Sequence, residues 1–81
     1  MVAQELNILQ DFEKDSLWFH KNIGLLRQQN FTGKFVAIFN EKPIASDTDV
    51  DNVIKIVEKK SISPAAVFIE FVYPEGYTLL L

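Results

Sequence analysis

Leu6, Leu9, Phe12, Ser16, Phe19, Ile23 and Leu26 follow one another at intervals of three or four, and all but Ser16 are apolar. That spacing stacks them on one face of an α-helix. Asp11, Glu13, Lys14, Lys21 and Arg27 fall mostly off this stripe and are expected to meet water. The pattern runs out at Gln28-Gln29-Asn30, and Gly33 closes the connection. Asn22 and Gly24 are weak helix formers, so a bend or break is expected near Asn22.

The period then shortens. Lys34 to Asn40 reads as a strand with apolar side chains on both faces: Phe35, Ala37 and Phe39 one way, Val36 and Ile38 the other. Asn40-Glu41-Lys42 predicts a turn, because Asn tolerates a left-handed backbone. Pro43 to Ala45 follows as a short return strand, placed at an edge because Pro43 cannot donate a ladder hydrogen bond. Ser46, Asp47 and Thr48 are N-cap residues, and Thr48 with Asp51 has capping-box spacing. A second helix is therefore predicted from Asp47–Asp49, burying Val50, Val53, Ile54 and Val57. Ser61 to Pro64 reads as a loop. Ala66 to Tyr73, apolar except at Glu70, is expected to be a central strand. Pro74-Glu75-Gly76 turns the chain into a last strand, Tyr77 to Leu81.

The predicted fold class is α+β, in the order α-β-β-α-β-β. Two helices are packed on one face of a small, mainly antiparallel four-stranded sheet. The expected strand order is 2-1-3-4, with 1-2-3-4 and one parallel pair as the alternative.

At 81 residues the chain forms one domain, 1–81. A domain this small buries only about 60–65% of its unfolded surface. With 48% hydrophobic residues, it carries more apolar surface than such a core readily hides, which points to an interface. A net charge of −3 with no basic cluster beyond Lys59-Lys60 argues against nucleic-acid binding. The lack of cysteine removes disulfides and thiolate chemistry and fits a reducing, cytoplasmic setting. Neither a signal peptide nor a run of ~18–20 apolar residues is present, so no membrane partner is expected.

Gly33-Lys34-Phe35-Val36-Ala37-Ile38, then a turn, then Ile44-Ala45-Ser46-Asp47 ahead of a helix, form a recurring pattern, with Trp18-Phe19 and Leu26 before the glycine. Together these residues resemble a small prokaryotic, mainly archaeal domain family of unknown function. The resemblance covers roughly Phe12 to Tyr73. Members often have Gly in the hairpin turn, where this chain has Glu41-Lys42. The resemblance implies a fold and brings no catalytic residue, cofactor or substrate with it.

Three constellations could carry chemistry. Asp47, Asp49, Asp51 and Glu58 occupy positions 1, 3, 5 and 12 of a calcium loop. Position 6 is Asn52 instead of Gly, position 9 is Lys55, and the preceding segment reads as a hairpin instead of a helix. An acidic helix N-terminus explains the same residues. His20 is the only histidine, and its helical neighbours Ser16, Leu17, Ile23 and Gly24 include no carboxylate to orient it. Asp11 and Asp15 lie one helical turn apart, which suits an acid–base pair only in a desolvated cleft. Both are expected to be solvated. Gly33-Lys34 feeds a strand, not a helix, and so lacks the setting of a phosphate loop. No catalytic, cofactor or metal-binding residue is assigned.

Binding surfaces are better supported. Trp18 and Leu25 lie off the main stripe of the first helix. Tyr77, Leu79 and Leu81 lie on a strand expected at the sheet edge. The sequence therefore points to a non-enzymatic interaction module, a homodimer or the binder of a protein partner, with no cofactor. The alternative is a domain binding a small molecule or calcium, through the acidic segment or a pocket lined by Phe35, Phe39 and Tyr73.

Overall fold

The structure is a computed structural model that describes residues 2–75. Helix α1 runs Val2–Lys21 and α2 Ile23–Gln28. The break between them falls on Asn22, as its weak propensity predicts. Helical hydrogen bonds continue across the break: the Asn22 N–H reaches the Trp18 carbonyl (3.0 Å) and the Asn22 carbonyl accepts from Leu26 (3.0 Å). Three strands follow, β1 Phe35–Phe39, β2 Lys42–Asp47 and β3 Phe68–Phe71, with helix α3, Val50–Lys59, between β2 and β3. A 3-10 turn, Pro64–Ala66, starts at the end of the expected loop and takes Ala66, the first residue of the expected strand. There Ser63 Oγ accepts from Ala65 N–H and Pro64 sits where no donor is needed.

The sheet order is β2-β1-β3, antiparallel throughout, so β1 and not β3 is the central strand among the described residues. The fourth strand expected at Tyr77–Leu81 lies outside the described residues, as do the side chains of Leu6 and Leu9.

The packing departs from the expected two-layer arrangement. On one face of the sheet, Val36, Ile38, Phe68 and Val72 lie under Phe19 and Leu26, with Trp18, Ile23 and Phe31 packed around them. On the other, Ala37 and Val67 meet Val53 and Val57, flanked by Phe35, Phe39, Ile44, Ala45, Ile62 and Ile69. Helices α1–α2 and α3 therefore cover opposite faces; they do not share one. The physical reason is β1 itself. All five of its residues are apolar, and alternation sends Val36 and Ile38 to one side and Phe35, Ala37 and Phe39 to the other. One layer of helices would leave one of those rows in water. Each fully buried Val or Leu contributes about 1.5–3 kcal/mol.

Register and helix ends follow from local chemistry. Pairing steps from Ala37↔Ala45 to Ile38↔Pro43, which leaves Ile44 as an extra residue in β2. This bulge lets consecutive Ile44 and Ala45 both enter the α3-side core. It also accommodates Pro43 on an edge strand. At the end of α2, Asn30 is left-handed (φ 68°) and Phe31 N–H bonds to the Leu26 carbonyl (3.1 Å). After α3, Ser61 (φ 61°) and the Ile62-to-Val57 bond (3.3 Å) repeat the motif. In both, the residue after the left-handed one, Phe31 or Ile62, packs beside the residue whose carbonyl it caps.

The β1–β2 hairpin turns on Asn40 (φ 52°) and Glu41 (φ 60°), a two-residue loop with both positions left-handed. Asn tolerates this conformation, whereas Glu is strained in it by about 1 kcal/mol. Glu41→Gly is therefore expected to raise unfolding stability by about 1 kcal/mol, since the backbone bonds of the turn need no side chain. Chemical denaturation of the two proteins measures the difference.

Candidate functional site

Among the described residues, Asp15 is the one charged side chain in the core, at 2% exposure. The sequence reading placed it in water with Asp11, and the structure corrects that for Asp15 alone. It sits three residues after Phe12 and four before Phe19, within the apolar stripe, so the helix must point it at the sheet. There its Oδ1 accepts the Glu41 N–H at 2.8 Å, and the Asn40 amide also donates to the carboxylate. These are amides of the strained hairpin turn. Asp15 thus fastens α1 to the β1–β2 turn, 26 residues away in sequence. Burial pushes its pKa above the ordinary 3.8, with the charges of Asp11 and Glu41 adding to the rise and the two backbone bonds opposing it. Asp11, Lys14, Asp15, Asn40 and Glu41 border a depression of ≈ 120 Å³ here. Among the described residues no three acids or histidines come close enough to hold a metal ion.

The acidic segment before α3 is occupied with capping. Asp47 Oδ1 accepts from Asp49 N–H (2.9 Å), with Thr48 Oγ1 (3.5 Å) and Asn52 Nδ2 (3.4 Å) nearby. Asp49 is the N-cap, accepting from Asp51 N–H (2.9 Å). The helix-capping role suggested for this stretch thus falls to Asp49 instead of Thr48. Those bonds, first that from Asp49, hold the Asp47 carboxyl below its ordinary 3.8. Glu58 lies nine residues beyond the Asp49 cap, roughly 13.5 Å along the helix axis at a rise of about 1.5 Å per residue.

A cleft of ≈ 280 Å³ opens where the α1–α2 junction meets β3. Phe19, His20, Ile23, Arg27, Glu70, Phe71 and Tyr73 line it. His20 is exposed, and its Nδ1 lies 2.8 Å from the Ser16 carbonyl. A carbonyl only accepts, so Nδ1 carries a proton and Nε2 is the free acceptor of the neutral ring. The ring stands edge-on to Phe19 (5.4 Å) and Phe68 (6.2 Å). Arg27 Nε donates to the Tyr73 carbonyl at 2.7 Å. Glu70 Oε2 accepts from Phe71 N–H at 3.2 Å. The sequence showed no carboxylate near His20 because Glu70 arrives from a strand 50 residues on. Of the expected Phe35–Phe39–Tyr73 pocket, only Tyr73 lines the cleft. Phe35 and Phe39 are half-buried against α3, and the rings of Phe35, Phe71 and Tyr73 follow one another at centroid distances of 5.1 and 4.9 Å.

The outer surface of α1–α2 carries the expected apolar residues unevenly. Trp18 is half-buried against the core, and Leu25 is 44% exposed. Leu17, at 70% exposure, is the largest such exposure among the described residues. Sequence reasoning passed over it, although it sits eight residues before Leu25 on the same off-stripe side. Tyr77, Leu79 and Leu81 lie outside the described residues. No described helix is long and apolar enough to cross a membrane.

Asp15→Ala should cost about 1–3 kcal/mol by stranding the hairpin amides, while Asp15→Asn, which keeps an acceptor, should stay close to the parent. The raised Asp15 pKa means the folded state binds that proton more tightly than the unfolded state does. Its contribution therefore makes stability fall as pH rises from 3.8 through the raised value, and then level off. Asp47 acts in the opposite sense: its stabilisation is present above 3.8 and is lost as pH falls through its lowered value. Denaturation across acidic pH should show the first slope vanish in Asp15→Asn and the second in Asp47→Asn.

No curated protein and no solved structure matches the chain. Residues 27–75, which hold the end of α2, all three strands and α3, match the sequence profile of a family of unknown function, DUF5678. That stretch is shorter at its N-terminal side than the resemblance drawn from the motif, and it leaves α1 outside. Since the match covers more than half of the chain, the protein belongs to this family of unknown function.

Proposed function

We propose that this domain is a non-enzymatic interaction module, and that its partner is a second copy of itself, met across the outer surface of α1–α2. The observation that carries the reading is the exposure of Leu17 (70%) and Leu25 (44%) beside Gly24. Glycine inside a helix costs about 1 kcal/mol relative to alanine. Among the described residues nothing requires it here, because a Cβ at Gly24 would meet none of their atoms within 4 Å. Close approach of another helix is a reason to keep that position bare. Gly24, Arg27, Gln28 and Glu75 border a hollow of ≈ 270 Å³ next to Leu25. Protruding leucines and a recess on the same α1–α2 segment offer the self-complementarity that a twofold dimer needs. No buried side-chain nitrogen or oxygen among the described residues lacks a hydrogen-bond partner, so the core holds no polar group waiting for a ligand.

Light scattering coupled to size exclusion tests this. The wild-type protein should shift from monomer to dimer across micromolar concentrations, and Leu17→Glu combined with Leu25→Glu should stay monomeric with an unchanged fold. Gly24→Ala should raise folding stability by about 1 kcal/mol while weakening the dimer. A wild-type protein that stays monomeric at the highest attainable concentration would refute the reading. So would a dimer indifferent to all three substitutions.

A further inference from the structure

The cleft between the α1–α2 junction and β3 holds two opposite charges, each tied to a backbone group instead of to the other. Arg27 is anchored through Nε to the Tyr73 carbonyl, so its two Nη groups are the donors left for a ligand. Glu70 is anchored through Oε2 to the Phe71 N–H, and Oε1 is the acceptor left. His20, fixed through Nδ1 to Ser16, contributes Nε2 as a further acceptor. Ile23 and the His20 ring supply apolar surface, whereas Phe71 and Tyr73 border the cleft at the strand edge with their rings stacked toward Phe35. Groups held in place this way lose little freedom on binding, which favours a ligand that matches them.

We propose that this cleft binds a free α-amino acid with a bulky apolar side chain, its carboxylate on Arg27, its ammonium on Glu70 and its side chain against Ile23 and the His20 ring. A simple anion would meet the Glu70 carboxylate, and a simple amine the Arg27 guanidinium. Only a ligand with both charges a few ångströms apart satisfies both. A peptide terminus carries one of the two, and the volume of ≈ 280 Å³ sits just under the usual range for small-molecule pockets. For a ligand this small in an open cleft, Kd is expected on the order of millimolar.

The test is an NMR titration of the backbone amides with L-phenylalanine and L-leucine, alongside 3-phenylpropanoate, phenethylamine and glycine. Saturable shifts at His20, Arg27, Glu70 and Phe71 are expected with the first two. Each probe lacking one charge or the side chain should bind at least about tenfold weaker, the loss of one charge-assisted contact. Glu70→Gln keeps an acceptor for Phe71 N–H and should weaken phenylalanine binding by about tenfold without unfolding the protein. Arg27→Lys, checked by melting temperature, should do likewise by losing the forked donor. Repeating the titration on Leu17→Glu separates binding from self-association. Absence of saturable shifts with both amino acids overturns the proposal, and so does undiminished binding in Glu70→Gln or equal binding of 3-phenylpropanoate.

Discussion

A strand with no polar side chain cannot turn either face to water, and Phe35–Phe39 is such a strand. Everything else in the molecule is arranged around that constraint. β2 and β3 flank it and satisfy its backbone on both edges. α1 and α2 cover Val36 and Ile38, while α3 covers Ala37 and its neighbours. The result is a three-layer molecule with a core on each side of a small sheet, in place of the single core that a chain of this length usually supports. Each core is thin, so fastenings at its margin matter more than in a larger domain.

Asp15 is one such fastening. An isolated carboxylate in an apolar interface is costly, and the cost is offset here by two amides that the hairpin turn cannot satisfy internally. The strained Asn40-Glu41 turn and the buried acid thus stabilise each other. Two left-handed caps, at Asn30 and Ser61, do comparable work at the ends of α2 and α3, each swinging an aromatic or branched side chain back onto the core.

Much of this was legible in the residues. The spacing of Val50, Val53, Ile54 and Val57 behind a run of capping residues specified α3, and the weak propensity of Asn22 marked the helix break. The two-sided apolar pattern of β1 was visible too. Its consequence was lost because the order of elements suggests a two-layer fold, and a strand pattern that demands cover on both faces overrides that tendency. What could not be read locally was the meeting of distant segments: the bond of Asp15 to Glu41, or the cleft that His20 and Glu70 share. Charge alone marked Asp15 as solvated, although its place between Phe12 and Phe19 put it on the inward stripe. Leu17 was missed for the opposite reason, since a lone leucine off the stripe carries little signal until its exposure is measured.

The family match starts at Arg27, yet the side chains that roof one face of the sheet, from Trp18 and Phe19 to Ile23 and Leu26, all come earlier in the chain. Stripped of that roof, the shared portion would present a greasy plane of Val36, Ile38, Phe68 and Val72 that could not persist bare in water. Its α3 side would be untouched. In this chain the shared portion is therefore one half of the folding unit, and the helix that precedes it is the lid that keeps its second face dry.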